Sequence, residues 1–580
     1  MNNRSTFIFL GFLAVAVVIV ILGLLGRALS PAAPSPAALS ASPTAPPNAV
    51  KISLLTSDTK AEWVRLATEA FNKAENKIAS GKPIYVEILQ EDSPSGAQQA
   101  VLDGTLQPTV WSPGDMSWVE TANQLARDRG KTPLVTADCP SIVLAANGFA
   151  MWRPMAEALG WPDKPIGWDE IVALAADPQG WGKYGHPEWG AFKLGHAHPA
   201  YSNTGFSMMA ALAYAALDKT SGLTPEMVKS QKVVDAFRQV ELHTYHYGLS
   251  TRALLTLMAT RGPAYLHAVT SSETAMLKSY EVYSNTMRYP YAFIFPAEGT
   301  FWSYNPYCIL ETAWVSAEQR EAAQIYRDYL LKPEQQALAV KIGLRPADPS
   351  VPLQAPIALT NGTDPRVTPK TVPPLGAVSG DAAAALIDVF HQTKKKAMVV
   401  LAIDTSGSMQ GEKINNAVEA TANFLSRLDR DDEVYVLTFS NDVQELSPAG
   451  RVGDVSETLA KTVRGLFAQG NTALFDSVCR AAERIGELKA ADEAAGEQRL
   501  YGVVVLSDGK DTASKKREND MFSCLPSGED VEGLKVFTIA YGADADKDLL
   551  LRIANRTNGK TFSGDPKTIE QVYLSISAEQ

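Results

Sequence analysis

Two carboxylates and three hydroxyls, spread over three loops in the last third of the 580-residue chain, have the chemistry to hold a hard cation. They are Asp404, Ser406 and Ser408 in DTSGS, Thr472 in GNTAL, and Asp508 in SDG. Oxygen donors with few formal charges suit Mg2+, which prefers near-octahedral oxygen coordination and keeps several waters, with Mn2+ or Ca2+ as alternatives. Each loop sits at a strand end or a helix start: AMVVLAIDTSGSM is an apolar run closing on Asp404, GNTAL precedes the helical DSVCRAAERI, and LYGVVVLS runs into Ser507-Asp508-Gly509. Strands and helices that alternate in this way build an α/β sheet, whose loops gather along one edge.

Other reactive constellations are weaker. His196, His198, His243 and His246 follow no zinc spacing and stand beside aromatic residues and proline, so turn or packing roles are expected of them. No GxxxxGK[ST], HExxH or GxSxG is present: Gly509-Lys510 is followed by Asp511, and TSGSM and GFSMM lack the flanking glycines of a nucleophile elbow. The chain is therefore expected to bind and not to catalyse.

The first domain, from about Val50 to Pro349, also alternates strands and helices: VKISLLTS, EWVRLATEAFNKAE, IYVEILQ, GAQQAVLDG and PTVWSP. A parallel sheet is expected, with polar turns at Thr56-Ser57-Asp58, at Asp92 to Gly96 and at Trp111-Ser112-Pro113 collecting at its carboxyl edge, where ligands bind. Ser202-Asn203-Thr204-Gly205 stands ahead of a long apolar helix, whose first N–H groups are able to hold an anion or a polar oxygen.

The order of strand, serine turn, SPSGAQQAVLDG, third strand, the crossing segment CPSIVLAAN, the helix start SNTG and the returning YNPYCIL resembles an extracellular solute-binding protein of the type 2 periplasmic class, nearest the molybdate-like branch. The resemblance implies two α/β lobes joined by two crossings and closing on a small ligand. Ser57 and Ser95 would contribute contacts from the first lobe, and Asn203 and Thr204 from the second. Trp111 and Trp302 depart from a small-oxyanion pocket, and aromatic walls would suit a sugar, a peptide or another organic solute. The set D-x-S-x-S with a later Thr and a later Asp resembles the metal-ion-dependent adhesion site of the von Willebrand factor type A domain. That likeness implies direct ligation by Ser406, Ser408 and Thr472, water-mediated contacts from Asp404 and Asp508, and an open position for a partner's carboxylate.

The four cysteines, Cys139, Cys308, Cys479 and Cys524, fall two in each half, and an oxidising compartment would pair Cys139 with Cys308 and Cys479 with Cys524. Four buried thiols in a cytosolic protein are the alternative. By the resemblance, Cys139 and Cys308 would sit on the two crossings. Phe7 to Gly26 is uncharged and long enough for one membrane-crossing helix, which favours an uncleaved signal anchor over a cleaved leader. PAAPSPAALSASPTAPP follows as an extended spacer. The expected organisation is an anchor at 1–27, a linker at 28–49, a solute-binding-like domain at 50–349, a proline-rich linker with a connecting helix at 350–395, and a type A domain at 396–580.

The net charge of −11 disfavours nucleic acid as a partner. From Met398 onward, 30 Asp and Glu face 20 Lys and Arg, so nearly all of that charge lies on the second domain. Such acidity marks solvated faces or a basic partner surface. The expected protein is a single-pass, extracytoplasmic binding protein that takes a small solute in one domain and a partner carboxylate, through a divalent cation, in the other. Two alternatives stand beside it: a receptor for an ABC-type transporter with a structural type A domain, and a type A partner of a chelatase or ring ATPase.

Overall fold

The computed structural model describes residues 45–580, apart from 90–93, 200–201, 249, 498, 527–532, 543, 566–567, 570–571, 574–575 and 577–580. The expected anchor and most of the spacer that follows it lie outside the described residues. Among the described residues no helix is long and apolar enough to cross a membrane.

The first lobe is built on strand Val50–Thr56, which pairs in parallel with Ile84–Leu89 on one side and Val110–Ser112 on the other. Period-two alternation puts Val50, Ile52 and Leu54 on one face, against Trp63, Val64, Ala67 and Phe71 of helix Ala61–Lys73. Leu55 points to the opposite face, into a second cluster with Trp111, Val119 and Leu310. Helices Ala317–Leu330 and Pro333–Lys341 return to this lobe from far along the chain.

The second lobe holds a seven-stranded sheet running Arg345–Pro346, Val143–Trp152, Ala268–Ser272, Leu194–Ala197, Thr244–Gly248, with Tyr291–Ile294 and Trp302–Ser303 also pairing with Val143–Trp152. A wholly parallel sheet was the expectation, and the structure corrects it. Leu194–Ala197 is parallel to both of its neighbours, whereas Val143–Trp152 is antiparallel to Ala268–Ser272. The reason is directional: Val143–Trp152 enters from the crossing, where the parallel strands end, and so runs against them. Two crossings join the lobes. They are stitched by Tyr307 N donating to Pro140 O at 2.9 Å and Ile142 N to Asn305 O at 3.3 Å, and the Cys139–Cys308 disulfide lies beside them.

Residues 350–395 are not a free linker. Val351, Ile357, Val372, Leu375 and Val378 are buried in the second lobe's core, and helix Gly380–Thr393 adds Ala382, Leu386, Val389 and Phe390 to it. Proline denies this stretch a regular strand, yet its apolar residues fall where the lobe has surface to cover.

The last domain is a sheet ordered Val443–Glu445, Glu433–Phe439, Lys396–Asp404, Arg499–Ser507, Lys535–Tyr541, Thr561–Gly564, parallel except for the short first strand and a seventh, Gly450–Arg451. Val399, Leu401 and Ile403 face helices Glu412–Leu425 and Val452–Arg464, while Met398, Val400 and Ala402 face helix Leu474–Ala495. A disulfide joins Cys479 and Cys524.

The amino ends of these strands rest on the second lobe. Arg261 donates to Gly559 O at 2.8 Å and to Asn555 Oδ1 at 3.1 Å, and the Lys535 ammonium lies 4.5 Å from the Tyr245 ring centre. Lys394, just after the connecting helix, pairs with Asp429 at 2.8 Å. The carboxyl ends, with Asp404 and Ser507, therefore point away from the solute lobes by about 30 Å, the length of a nine-residue strand.

Candidate functional site

Three loops meet at the far carboxyl edge of the last sheet. Gly407 N donates to Gly470 O at 2.9 Å and Gln469 N to Thr405 O at 2.8 Å, fastening the first loop to the second. Thr472 N donates to Thr512 Oγ1 at 2.9 Å and Thr512 N returns to Thr472 O at 2.8 Å, fastening the second to the third. A Cβ added at Gly509 would meet Ser408 Oγ at 3.7 Å and Thr472 Oγ1 at 3.9 Å, so the chain after Asp508 runs between these two hydroxyls.

All five sequence-predicted residues thus belong to one cluster. Ser406 and Ser408 hydroxyls are 2.9 Å apart, and Ser408 Oγ donates to Asp508 Oδ1 at 2.7 Å. Asp404 is buried, accepting from Ser406 N at 2.9 Å and Ser507 Oγ at 2.7 Å. Burial raises the Asp404 pKa above the usual carboxylate range and the nearby Asp508 charge adds to this, against hydrogen bonds from Ser406 and Ser507. Ser408 is exposed and opens the cluster to solvent. Oxygen donors meeting at hydrogen-bond distance, two of them buried carboxyls, fit a hard divalent cation.

Lys413 was not anticipated from the sequence. From the first turn of helix Glu412–Leu425 its ammonium reaches Asp508 Oδ2 at 2.5 Å, supplying positive charge to a buried carboxylate. The available signal was a lysine five residues past Ser408, which by itself does not reveal which way it turns.

The solute-side residues are distributed differently. Ser57 Oγ accepts from Lys60 Nζ at 2.8 Å, which also donates to Ser112 O at 2.8 Å, Pro113 O at 3.1 Å and Asn305 Oδ1 at 3.1 Å. Lys60 is fully buried, and burial pushes its pKa down to about 7. It braces two ligand-side turns against a crossing. Ser95 falls in helix Pro94–Asp103, and its side chain lies outside the described residues. Asn203 and Thr204 open helix Asn203–Ala216, capped by Ser202, whose hydroxyl accepts from Gly205 N at 3.2 Å. Asn203 Oδ1 faces the first lobe, accepting from Trp118 Nε1 at 3.4 Å. Asp58 with Arg252 at 3.8 Å and Glu62 with Lys278 at 3.3 Å also span the lobes.

Trp111 and Trp302 are not cleft walls. Both are core residues, Trp111 beside Leu55 and Cys308, and Trp302 donating to Val372 O at 3.2 Å. Their strands are buried on both faces, so a side chain on either face lies in a core. The exposed aromatic of the second crossing is Tyr304, whose pKa is raised by partial burial and by the Asp115 charge. Three of the four histidines have packing contacts: His196 sits 3.3 Å from the buried Glu241 carboxylate, His198 meets the Phe390 ring edge-on at 4.8 Å, and His246 stacks on Tyr265 at 4.1 Å.

A family model described as bacterial extracellular solute-binding protein matches residues 66–365, and one described as von Willebrand factor type A domain matches residues 399–573. An uncharacterized protein of Mycobacterium tuberculosis is 22% identical over 542 residues, covering 88% of this chain and 75% of that one. An uncharacterized protein of Synechocystis is 26% identical over 194 residues, covering 32% of this chain and only 43% of its own length. Among solved structures, a spermidine/putrescine ABC transporter substrate-binding protein from Streptococcus pneumoniae aligns over 59% of this chain and 98% of its own, at 12% identity and a TM-score of 0.41.

Proposed function

The chain belongs to the bacterial extracellular solute-binding protein family and carries a von Willebrand factor type A domain, and on that premise we propose an extracytoplasmic receptor that also engages a protein partner through a divalent cation. Ser406, Ser408 and Thr472 would hold the ion directly and Asp404 and Asp508 through water. The bound ion supplies an open position for a partner carboxylate, with Mg2+ preferred over Mn2+ or Ca2+. The observation that carries this reading is the meeting of Ser406, Ser408 and Asp508 side chains at 2.7 to 2.9 Å beside buried Asp404, from loops about a hundred residues apart.

A small solute would bind between the lobes and draw them together about the paired crossings. Asn203 and Thr204 stand at the second lobe's edge to meet it, and the Trp118–Asn203 contact supports closure along this line. Phe7 to Gly26 would anchor the body to the membrane on its extracytoplasmic side, a placement favoured by the two disulfides. Neither domain is assigned a catalytic role.

Isothermal titration of Mg2+ into the full chain in detergent tests the reading. Binding by the wild type with loss in Asp404→Ala and Thr472→Ala is the expected result. A folded wild type that takes up no Mg2+ would move the functional assignment to the solute lobes alone.

A further inference from the structure

The type A domain is acidic overall, yet the loop that follows Asp508 is not. Lys510, Lys515, Lys516 and Arg517 are all exposed on it. Asp511, the one acid among them, and Asp476 of the adjoining helix both bond to backbone or hydroxyl groups of this region. Asp511 Oδ1 accepts from Phe475 N at 3.2 Å and from Ser514 Oγ at 2.5 Å, and the Asp476 carboxylate takes Lys515 N at 2.9 Å and Lys516 N at 3.0 Å. These bonds pin the loop against the start of helix Leu474–Ala495, and Thr512 N and Ala513 N hold it at Thr472 by donating to Thr472 O at 2.8 and 3.1 Å. Lys515 reaches only the exposed Asp442, at 4.0 Å, and among the described residues Lys510, Lys516 and Arg517 have no ion-pair partner. On another side of the site Phe467 stands 66% exposed, two residues before the Gln469 N–H that bonds Thr405 O. Glu412 and Asp544 are exposed on the remaining side, near Lys413.

We propose that this edge selects an acidic segment of a partner protein: one carboxylate at the cation, an apolar side chain against Phe467, and a run of further acids over Lys510, Lys515, Lys516 and Arg517. The inference rests on the metal-dependent reading above and specifies its partner. A lone basic patch would accept any polyanion. Here the loop that carries the cations is tied by its backbone to Thr472 and Asp476, beside a site that already calls for a carboxylate, so a second and third carboxylate on the same chain would meet them without rearrangement of the loop. Asp511 and Asp476 are used in shaping the loop, so Lys510, Lys516 and Arg517 present charge that no ion pair among the described residues offsets, in a domain that would otherwise repel such a segment.

The test uses the full chain in detergent, with excess Mg2+, and short fluorescein-labelled peptides that share a central Asp-Leu pair and continue into a run of Glu, of Ser or of Lys. Fluorescence anisotropy should show the Glu peptide bound about tenfold tighter than the Ser peptide, with the Lys peptide weakest. Combined Lys510→Ser, Lys515→Ser, Lys516→Ser and Arg517→Ser, all exposed changes, should bring the Glu and Ser peptides to within about twofold of each other. Phe467→Ser should weaken both. Mg2+-dependent binding with no preference among the peptides overturns this inference and leaves the metal site standing. Glu-peptide binding that survives EDTA and Thr472→Ala overturns it from the other side, as charge attraction without an anchor. No binding of any peptide overturns it, the metal-site reading then standing or falling on Mg2+ titration of the same protein, and a preference for phosphatidylglycerol vesicles over the Glu peptide overturns the choice of a protein partner.

Discussion

Lys413→Met should tighten Mg2+ binding, although the substitution touches none of the expected ligands. The wild-type ammonium lies 2.5 Å from Asp508 Oδ2, on a side chain 28% exposed, and neutralises a carboxylate with no exposure of its own. A divalent ion held by the neighbouring hydroxyls would stand about 5 Å from that ammonium. Repulsion between charges of two and one at this distance is about 1.7 kcal/mol at the dielectric of water and about 6.6 kcal/mol at an effective dielectric of 20. Because Lys413 is partly exposed and free to swing outward, the lower part of that range applies, about 2 kcal/mol or thirtyfold in Kd. The second effect has the same sign. Without Lys413 the metal-free protein keeps a buried Asp508 with Ser408 alone among the described residues donating to it, a loss of about 3 kcal/mol that bound Mg2+ would recover. Two measurements follow: Mg2+ titration calorimetry, expected to show the tighter Kd, and thermal unfolding, expected to show a lowered midpoint without Mg2+ and a restored one with it. A folded Lys413→Met protein with unchanged or weaker Mg2+ affinity would refute the reasoning, because no term in it favours retaining the lysine once the ion is bound.

Arg345 holds Glu273 through two bonds of 2.7 and 2.8 Å with both side chains buried, so Arg345→Met should cost about 3 to 5 kcal/mol, and adding Glu273→Gln should return part of it in urea unfolding. Closing loops of 169 and 45 residues, the two disulfides should contribute about 5 and 4 kcal/mol by chain entropy. Calorimetry of the Cys139→Ser/Cys308→Ser and Cys479→Ser/Cys524→Ser proteins should then show the larger loss in the first. Lys60 has its pKa pushed from 10.5 to about 7 by burial, so between those values the unfolded chain carries a proton that the folded one has released. Stability should therefore rise with pH across that window by at most about 5 kcal/mol, with the full cost of the charged form present below it. Urea midpoints of the wild type against Lys60→Met at about pH 6.5 and 9.5 should show the slope only in the wild type.

The two-domain α/β organisation and the five-residue cluster at Asp404, Ser406, Ser408, Thr472 and Asp508 were legible in the chain because their signals are local. An apolar run that ends in a polar loop specifies both a strand and the edge on which its loop lies. Lys413 and Lys60 were not legible. Each acts by turning a long, flexible side chain onto groups remote in sequence, Asp508 at 95 residues and Asn305 at 245, and no spacing rule records that direction. Residues 350–395 read as a linker with a connecting helix, the linker part because proline erases periodicity, although apolar side chains from both parts complete the second lobe's core. Trp111 and Trp302 read as cleft walls because an aromatic beside a polar turn has the composition of a binding site, while the strands that carry them are covered on both faces and keep both rings in the core.

Local pattern alone therefore determined the elements, the loops they expose and the donor atoms those loops carry, since periodicity and turn chemistry act over a few residues. Tertiary structure decided which side chains close over those donors, which aromatics remain in solvent and which way the site edge faces. Those outcomes depend on the packing of segments hundreds of residues apart, where burial and the pairing of charge select among rotamers that the chain by itself leaves equally open.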